Sequence, residues 1–318
     1  MTRRRDFLQL VCLAVPCHLV AEGPGAAARA AAFLKSRQSG DGAWRSSVHG
    51  SLRDGTALTP LVLRAMPDAK GHSWLVQLTD RVARAAEPWR LLTYPLFTAS
   101  LAAQVFARAG DHARARTWAA LIQRLQLSPA LGWPSDDPRC LGWGDSPSPP
   151  RFDPAVNRLA DMHNPNISAT AYALAGLRAA GIRGSAAFAL RCQNPDGGFF
   201  FALDDPVRNK AGGTRSYNTA TCDGILCLLH AEISRTDPRV QAGLRWLRGG
   251  TAPPPPSLTF YHACALAECL PSPRITAGLA QTQHPDGSWA NDVPHAMEDD
   301  PVLATALAMR ALTTLRTR

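Results

Sequence analysis

Three residues that can do chemistry sit at the edges of, or inside, otherwise apolar stretches in the second half of the chain. Asp223 lies in YNTATCDGILCLLHA, His262 in SLTFYHACALAECL, and Asp300 precedes PVLATALAMRALTTL. A carboxylate or an imidazole in an apolar setting is costly unless it is paired or used. Asp223, His262 and Asp300 are therefore the candidate catalytic set, and proton transfer is the chemistry they suit. Asp223 follows the start of its helix by about six residues and His262 by about five, so both are expected at one depth of a shared cavity. Asp300 has a competing role: Asp300-Pro301 reads as a helix N-cap with Pro at the first helical position, and Glu298 and Asp299 as acids at that terminus. Tyr94, Tyr217 and Tyr261 each open an apolar helix, where an aromatic ring can line a pocket, stabilise a cation or pack as core. His163, Asn166 and Cys222 complete the expected lining. The sequence contains no GxSxG elbow, P-loop or HExxH.

The elements that must carry these residues fall into two alternating sets. Segments 54–66, 95–109, 166–180, 217–231, 257–270 and 300–315 are apolar on most faces, the mark of buried helices. Segments 26–37, 72–86, 111–127, 184–193, 237–249 and 272–283 carry Arg on one face, which suits an outer layer. Six inner and six outer helices in strict alternation predict an all-α, α6–α6 (α/α) barrel, because ring closure buries faces that an open stack leaves exposed.

One phrase punctuates the chain three times: QSGDGAW, CQNPDGGFF and QTQHPDGSW. The repeats span 29–44, 183–199 and 274–289, and their fixed members are Gln38 and Trp44, Gln193 and Phe199, Gln283 and Trp289. A recurring phrase is read as architecture. Asp-Gly breaks the helix into a tight turn. The aromatic then folds back on the helix end, and the Gln amide bonds the loop backbone or the next repeat. The longest irregular stretch, 128–164, holds Trp133, Trp143 and Phe152, so it is expected to pack against the body.

With 318 residues, 46% apolar and 19% charged, the chain suits a globular protein with a large core. The net charge of +9 comes from scattered Arg, with only Lys35, Lys70 and Lys210 as lysines. That is a mild surface bias and excludes the basic footprint of a nucleic-acid binder. Arg4-Arg5 before Phe7-Leu8 and a short apolar run look like a twin-arginine export signal over 1–21, with the barrel over 22–318. The run is too short and interrupted to span a bilayer; peripheral membrane contact stays open, and cytoplasmic residence follows if the signal is unused. Loss of 1–21 removes three Arg and one Asp, taking +9 to +7. Of eight cysteines, Cys12 and Cys17 fall in the signal; the other six read as buried core thiols.

The Gln-x3-Gly-x-Trp phrases resemble the QW repeats of squalene–hopene cyclases, over roughly residues 26–316. That resemblance implies an α6–α6 barrel whose central apolar pocket folds a polyisoprenoid and protonates it. Such cyclases normally have two barrels and an Asp-x-Asp-Asp acid motif. This chain has length for one barrel, and at the register of the motif it reads His163-Asn164-Pro165-Asn166. A second branch of the same fold is the protein prenyltransferase β-subunit, a zinc enzyme. TFYHACALAECL resembles the stretch that supplies its zinc histidine, here His262, which with Cys222 and Asp223 gives a possible zinc set. Adjacent helical residues point about 100° apart, so joint chelation by Cys222 and Asp223 is awkward. Two further readings stay open: a non-catalytic binding or scaffold protein, and a hydrolase or lyase like those on carbohydrate-active α6 barrels, which would pair Asp223 with Glu268 or Asp300.

Overall fold

The computed structural model describes residues 25–155, 161–250 and 255–316. The expected export signal lies outside them. Twelve α-helices form among the described residues: α1 Ala26–Ser36, α2 Leu58–Ala65, α3 Ala69–Arg84, α4 Pro95–Arg108, α5 His112–Arg124, α6 Ile167–Ala179, α7 Ala187–Arg191, α8 Asn218–His230, α9 Pro238–Arg248, α10 Thr259–Cys269, α11 Pro273–Thr282 and α12 Pro301–Arg316. No strand is found among these residues, only isolated bridges such as Gln38 with Trp44. None of these helices is long and apolar enough to cross a membrane.

The even-numbered helices form the inner ring. Each packs against the next, α2 on α4, α4 on α6 and so on, and α12 returns to α2, which closes the barrel. Their burial explains their composition. Every residue of α2 is buried, as are eleven of the thirteen in α8. The odd-numbered helices lie outside and bury one stripe each, Trp74, Leu75, Leu78 and Val82 in α3 for example.

Helix boundaries follow caps rather than hydrophobicity. Asp68 accepts from the Gly71 amide (2.7 Å), so α3 starts at Ala69, three residues before the expected point. Asn166 caps α6 through Ala169 N (2.8 Å). Asp300 caps α12 through Val302 N (2.8 Å) and Leu303 N (3.0 Å). Outer helix α7 is shorter than predicted, five residues after Gly184-Ser185.

The three recurrent phrases make one set of bonds. Each Gln amide donates to the carbonyl of its own loop Gly: Gln38 to Gly42 O (2.9 Å), Gln193 to Gly197 O (3.1 Å), Gln283 to Gly287 O (2.9 Å). Each also reaches the start of the next outer helix. Gln38 donates to the α3 cap Asp68 (2.7 Å), Gln193 to Arg239 O (2.9 Å), and Gln283 to Ala26 O (2.9 Å). The last of these ties the final outer helix to the first. Trp44 and Trp289 donate their indole N–H back to Leu34 O and Leu279 O of the preceding outer helix. A Thr near the start of each following inner helix accepts the aromatic residue's backbone N–H: Thr59, Thr221 and Thr305.

A fourth version was not recognised in the sequence. Gln126 donates to Leu141 O (3.1 Å), Trp143 Nε1 to Ile122 O (2.8 Å), and Trp143 N to Thr170 Oγ1 (3.3 Å). Here the Gln and the Trp stand far apart, and the intervening loop folds on its own small core of Leu127, Trp133 and Cys140, with Phe152 edge-on to Trp133 at 5.1 Å.

Candidate active site

The inner helices enclose a narrow lumen, and helical register decides what enters it. On α10, Tyr261, Cys264, Ala265 and Glu268 lie at i, i+3, i+4 and i+7 and share the inward face. On α8, Asp223, Leu226 and His230 do the same, at i, i+3 and i+7. Ala171, Tyr172 and Ala175 enter from α6, Gln104 from α4 and Arg64 from α2. The void between them measures about 30 Å³, room for a water and not for a larger guest.

Asp223 is fully enclosed, 1% exposed. Ser168 Oγ donates to its Oδ2 (2.5 Å) and the Tyr261 hydroxyl to its Oδ1 (3.0 Å). Burial pushes its carboxyl up from the ordinary 3.8 to about 7, against the pull of these two bonds. The group therefore carries its proton up to neutral pH. The rotation of α8 that aims Asp223 inward is locked by its neighbour. A Cβ at Gly224 would lie 2.3 Å from the Phe199 ring, so only glycine lets that ring seat against the helix. Aromatic rings flank the acid: Tyr172 and Tyr261 stack with centroids 6.3 Å apart, and Phe97 meets Tyr172 edge-on at 5.0 Å.

Glu268 lies at the other end of the lumen and behaves oppositely. Arg64 Nη2 reaches its Oε1 at 2.5 Å and Arg310 Nε the same oxygen at 3.3 Å. Burial alone would raise its carboxyl, but Arg64 and Arg310 outweigh it and hold Glu268 below its usual range. One cavity thus holds a protonated carboxylic acid and an ionised carboxylate. His230, the last residue of α8 and on the Glu268 side of the lumen, is kept neutral by burial, its pKa lowered to about 4.

The other predicted residues are distributed differently. The expected meeting of Asp223 with His262 does not form. His262 follows Tyr261 and turns about 100° away from the lumen, so its Nδ1 faces Cys222 Sγ at 4.0 Å. Burial lowers its pKa to about 4. Asp223, one residue on from Cys222, looks inward. Cys222, Asp223 and His262 thus do not converge, and no cluster of three His, Cys, Asp or Glu suited to a metal exists among the described residues. Asp300 is buried as the α12 cap and also accepts from the Ser46 hydroxyl; it is not among the residues lining the lumen void. Glu298 accepts from Phe260 N (3.0 Å) and Tyr261 N (2.7 Å), capping α10 from the preceding loop of α12.

At the N-terminal mouth, Tyr94 donates to Ser51 Oγ (3.1 Å). Asn166 spends its Oδ1 on its helix cap, with Nδ2 at 3.5 Å from both oxygens of Asp145. His163 is half-buried in a 3-10 turn, its pKa lowered by burial. Tyr217 is buried just before α8. The residues missed in the sequence are Arg64, Gln104, Tyr172, Ser168, His230 and Arg310. A signal existed for some of them: single charged residues in the last turns of helices that are otherwise apolar all round.

No protein-family description and no curated protein sequence matches this chain. Solved structures do. A protein from Actinoplanes aligns at 18% identity with TM-score 0.58, covering 92% of this chain and 99% of that one. The type II terpene cyclase MstE from Scytonema, in its apo form, aligns at 14% identity with TM-score 0.56 over 92% and 98%. A glycosidase aligns at 12% identity with TM-score 0.56 over 91% and 96%. At such identities the likeness establishes the fold, a helical barrel like that of terpene cyclases.

Proposed function

We propose that the protein is a single-barrel, terpenoid-cyclase-like enzyme in which Asp223 takes the part of the proton donor. The observation that carries the reading is a fully buried carboxyl whose pKa burial pushes up to about 7, in a narrow lumen beside stacked tyrosines. Protonating an alkene needs such an acid. The carboxyl proton of Asp223 bonds to one alkene carbon, and the electron pair of the double bond forms that bond. A tertiary cation is left on the other carbon, and the new carboxylate is held by Ser168 and Tyr261. Tyr172 and Tyr261 present ring faces to the cation. Ring closure by a further alkene and loss of a proton to water complete an isomerisation, and Asp223 regains its proton from solvent. The Asp-x-Asp-Asp motif of squalene cyclases is absent, so the acid has moved from the start of α6 to α8. MstE, one of the structural neighbours, binds geranylgeranyl dihydroxybenzoate as its substrate, which makes a polyisoprenoid a natural class to test.

Size sets a condition on this reading. Ligand pockets are commonly about 300–1,000 Å³, at least ten times the void present. A polyisoprenoid must therefore displace Tyr172 or Tyr261, and Tyr172→Ala should admit ligand faster. The test is incubation of wild type and Asp223→Asn with squalene, farnesol, farnesoic acid and geranylgeranyl diphosphate, with cyclic isomers sought by mass spectrometry. The reading expects an isomer of unchanged mass from wild type only. Binding of a probe without turnover would reduce the protein to a lipid-binding relative. No binding of any probe would end the isoprenoid reading.

A second reading is favoured by the opposed carboxyls. An acid pushed up and a base held down in one cavity is the arrangement of a glycoside hydrolase or lyase, and a glycosidase is among the structural neighbours. Here Glu268 would be indispensable, whereas alkene protonation by Asp223 has no use for it. Release of nitrophenol from aryl glycosides, lost in Glu268→Gln, would select this alternative.

A further inference from the structure

The lumen opens at the C-terminal ends of the inner helices into a basin of about 650 Å³, opposite the caps at Asn166 and Asp300. Its wall is rich in arginine. Some of these side chains have structural work: Arg178 donates to Leu229 O (2.9 Å) and Arg235 to Cys269 O (2.7 Å), and Arg108, beside the basin, to Leu63 O and to Arg64 O (2.8 Å). Each thereby satisfies carbonyls left open at an inner helix end. Arg64 and Arg310 do something else: both turn to Glu268.

Two carboxylates do not balance this wall. Arg64, Arg178, Arg235 and Arg310 face Glu232 and Glu268 around the basin, a local excess of two positive charges. Nearby Arg108 has its pKa lowered by burial and by the charges of Arg310 and Arg64. Two buried polar atoms here also have no hydrogen-bond partner: Nε of Arg64, a side chain only 9% exposed, and Nδ1 of His230. Both residues line the lumen void and the basin alike. An orphaned buried polar group costs about 1–3 kcal/mol, and two of them, on residues that line one positively charged basin, point to an absent partner.

We propose that this basin is an oxyanion site that holds the carboxylate or phosphate head of an amphipathic ligand. Arg64 Nε and Arg310 donate to the head group, and His230 donates from Nδ1 in the tautomer that carries its proton there. The tail runs past Leu226, Ala171 and Ala175 towards Asp223, which lies seven residues up α8 from His230, or about 10 Å at the helical rise. The placement of the tail rests on the isoprenoid reading above; the oxyanion site does not. Together they orient the ligand, charged head at the basin and reacting alkene at the acid.

Titration calorimetry at physiological salt tests this on the whole chain with four probes: inorganic pyrophosphate, farnesyl diphosphate, farnesoic acid and farnesol. The expectation is that the diphosphate and the acid bind at least tenfold more tightly than farnesol, and that Arg310→Gln removes this advantage. Arg310→Lys should restore part of it. Arg310 is partly exposed, and the thermal melt of each variant is measured alongside so that a loss of affinity is read only from folded protein. Pyrophosphate binding as tightly as farnesyl diphosphate would uphold the anion site and remove the tail from the lumen, and with it the isoprenoid reading. Equal affinity for farnesol and farnesoic acid, or no loss in a folded Arg310→Gln, would overturn the proposal and leave the two orphaned atoms to a buried water.

Discussion

Replacing Asp223 by Asn tests the protonated acid without reference to any substrate. In the unfolded chain this carboxyl titrates near 3.8, and in the folded barrel near 7. Between those values the folded state binds a proton that the unfolded state has released. Stability must then fall as pH rises from about 4 to about 7, and the loss is complete above 7. At 1.36 kcal/mol for each pH unit of difference, the full cost to wild type is about 4 kcal/mol. Asparagine copies the shape and polarity of the neutral acid and keeps acceptance from Ser168 or Tyr261, but it does not titrate. Asp223→Asn should therefore match wild type near pH 4 and exceed it by about 4 kcal/mol near pH 8. Glu298 is also pushed up by burial, to about 7, but it titrates in both proteins and cancels in the difference. Urea unfolding at four pH values, with equal slopes for the two proteins, gives the comparison. A difference that stays flat with pH, or one that favours wild type as pH rises, would show that Asp223 is ionised in the barrel and unfit as a neutral-pH proton donor.

Three other substitutions probe different parts of the molecule. Gly287 has φ +89°, and a Cβ there would stand 2.5 Å from Arg29 O, so Gly287→Ala should cost about 2 kcal/mol or more in thermal or urea unfolding; a neutral result would mean the seam between α11 and α1 is loose. Asp300→Ala should cost about 1 kcal/mol as a lost cap while ligand affinity stays within twofold; a selective collapse of binding would return Asp300 to the site. Arg4-Arg5→Lys-Lys should trap the full-length chain in the cytoplasm of a host with twin-arginine transport, and unchanged export would show that the signal is of another kind.

The architecture was legible because burial left a strong compositional mark. Inner helices such as NTATCDGILCLLH are apolar on every side, and outer ones such as HARARTWAALIQR are not. Ends were off by a few residues where a cap lay upstream of the apolar pattern, as with Asp68. The clamp formed by Gln126 and Trp143 escaped notice because a loop separates its two halves, so no fixed spacing survives; only its bonds to Ile122, Leu141 and Thr170 identify it. Within the site, Asp223 was found from the cost of a carboxylate in an apolar helix. Its partners were not, since pairing depends on how α8 and α10 are rotated. That rotation sends Tyr261 into the lumen and His262 towards Cys222, a choice that rests on contacts such as Phe199 against Gly224 and not on helical spacing alone.

The bond from Gln283 to Ala26 spans 257 residues of chain, whereas the equivalent bond from Gln38 to Asp68 spans 30. Loop-closure entropy makes the long span about 2 kcal/mol dearer. The ring must therefore assemble as a growing arc, with the contacts of α12 on α1 and α2 made last. By the same arithmetic, opening that seam returns the most chain entropy. Parting it would draw Arg310 away from Arg64 and open the lumen lengthwise, giving a bulky guest a way in through the side wall that the void of one water's size does not offer from either end.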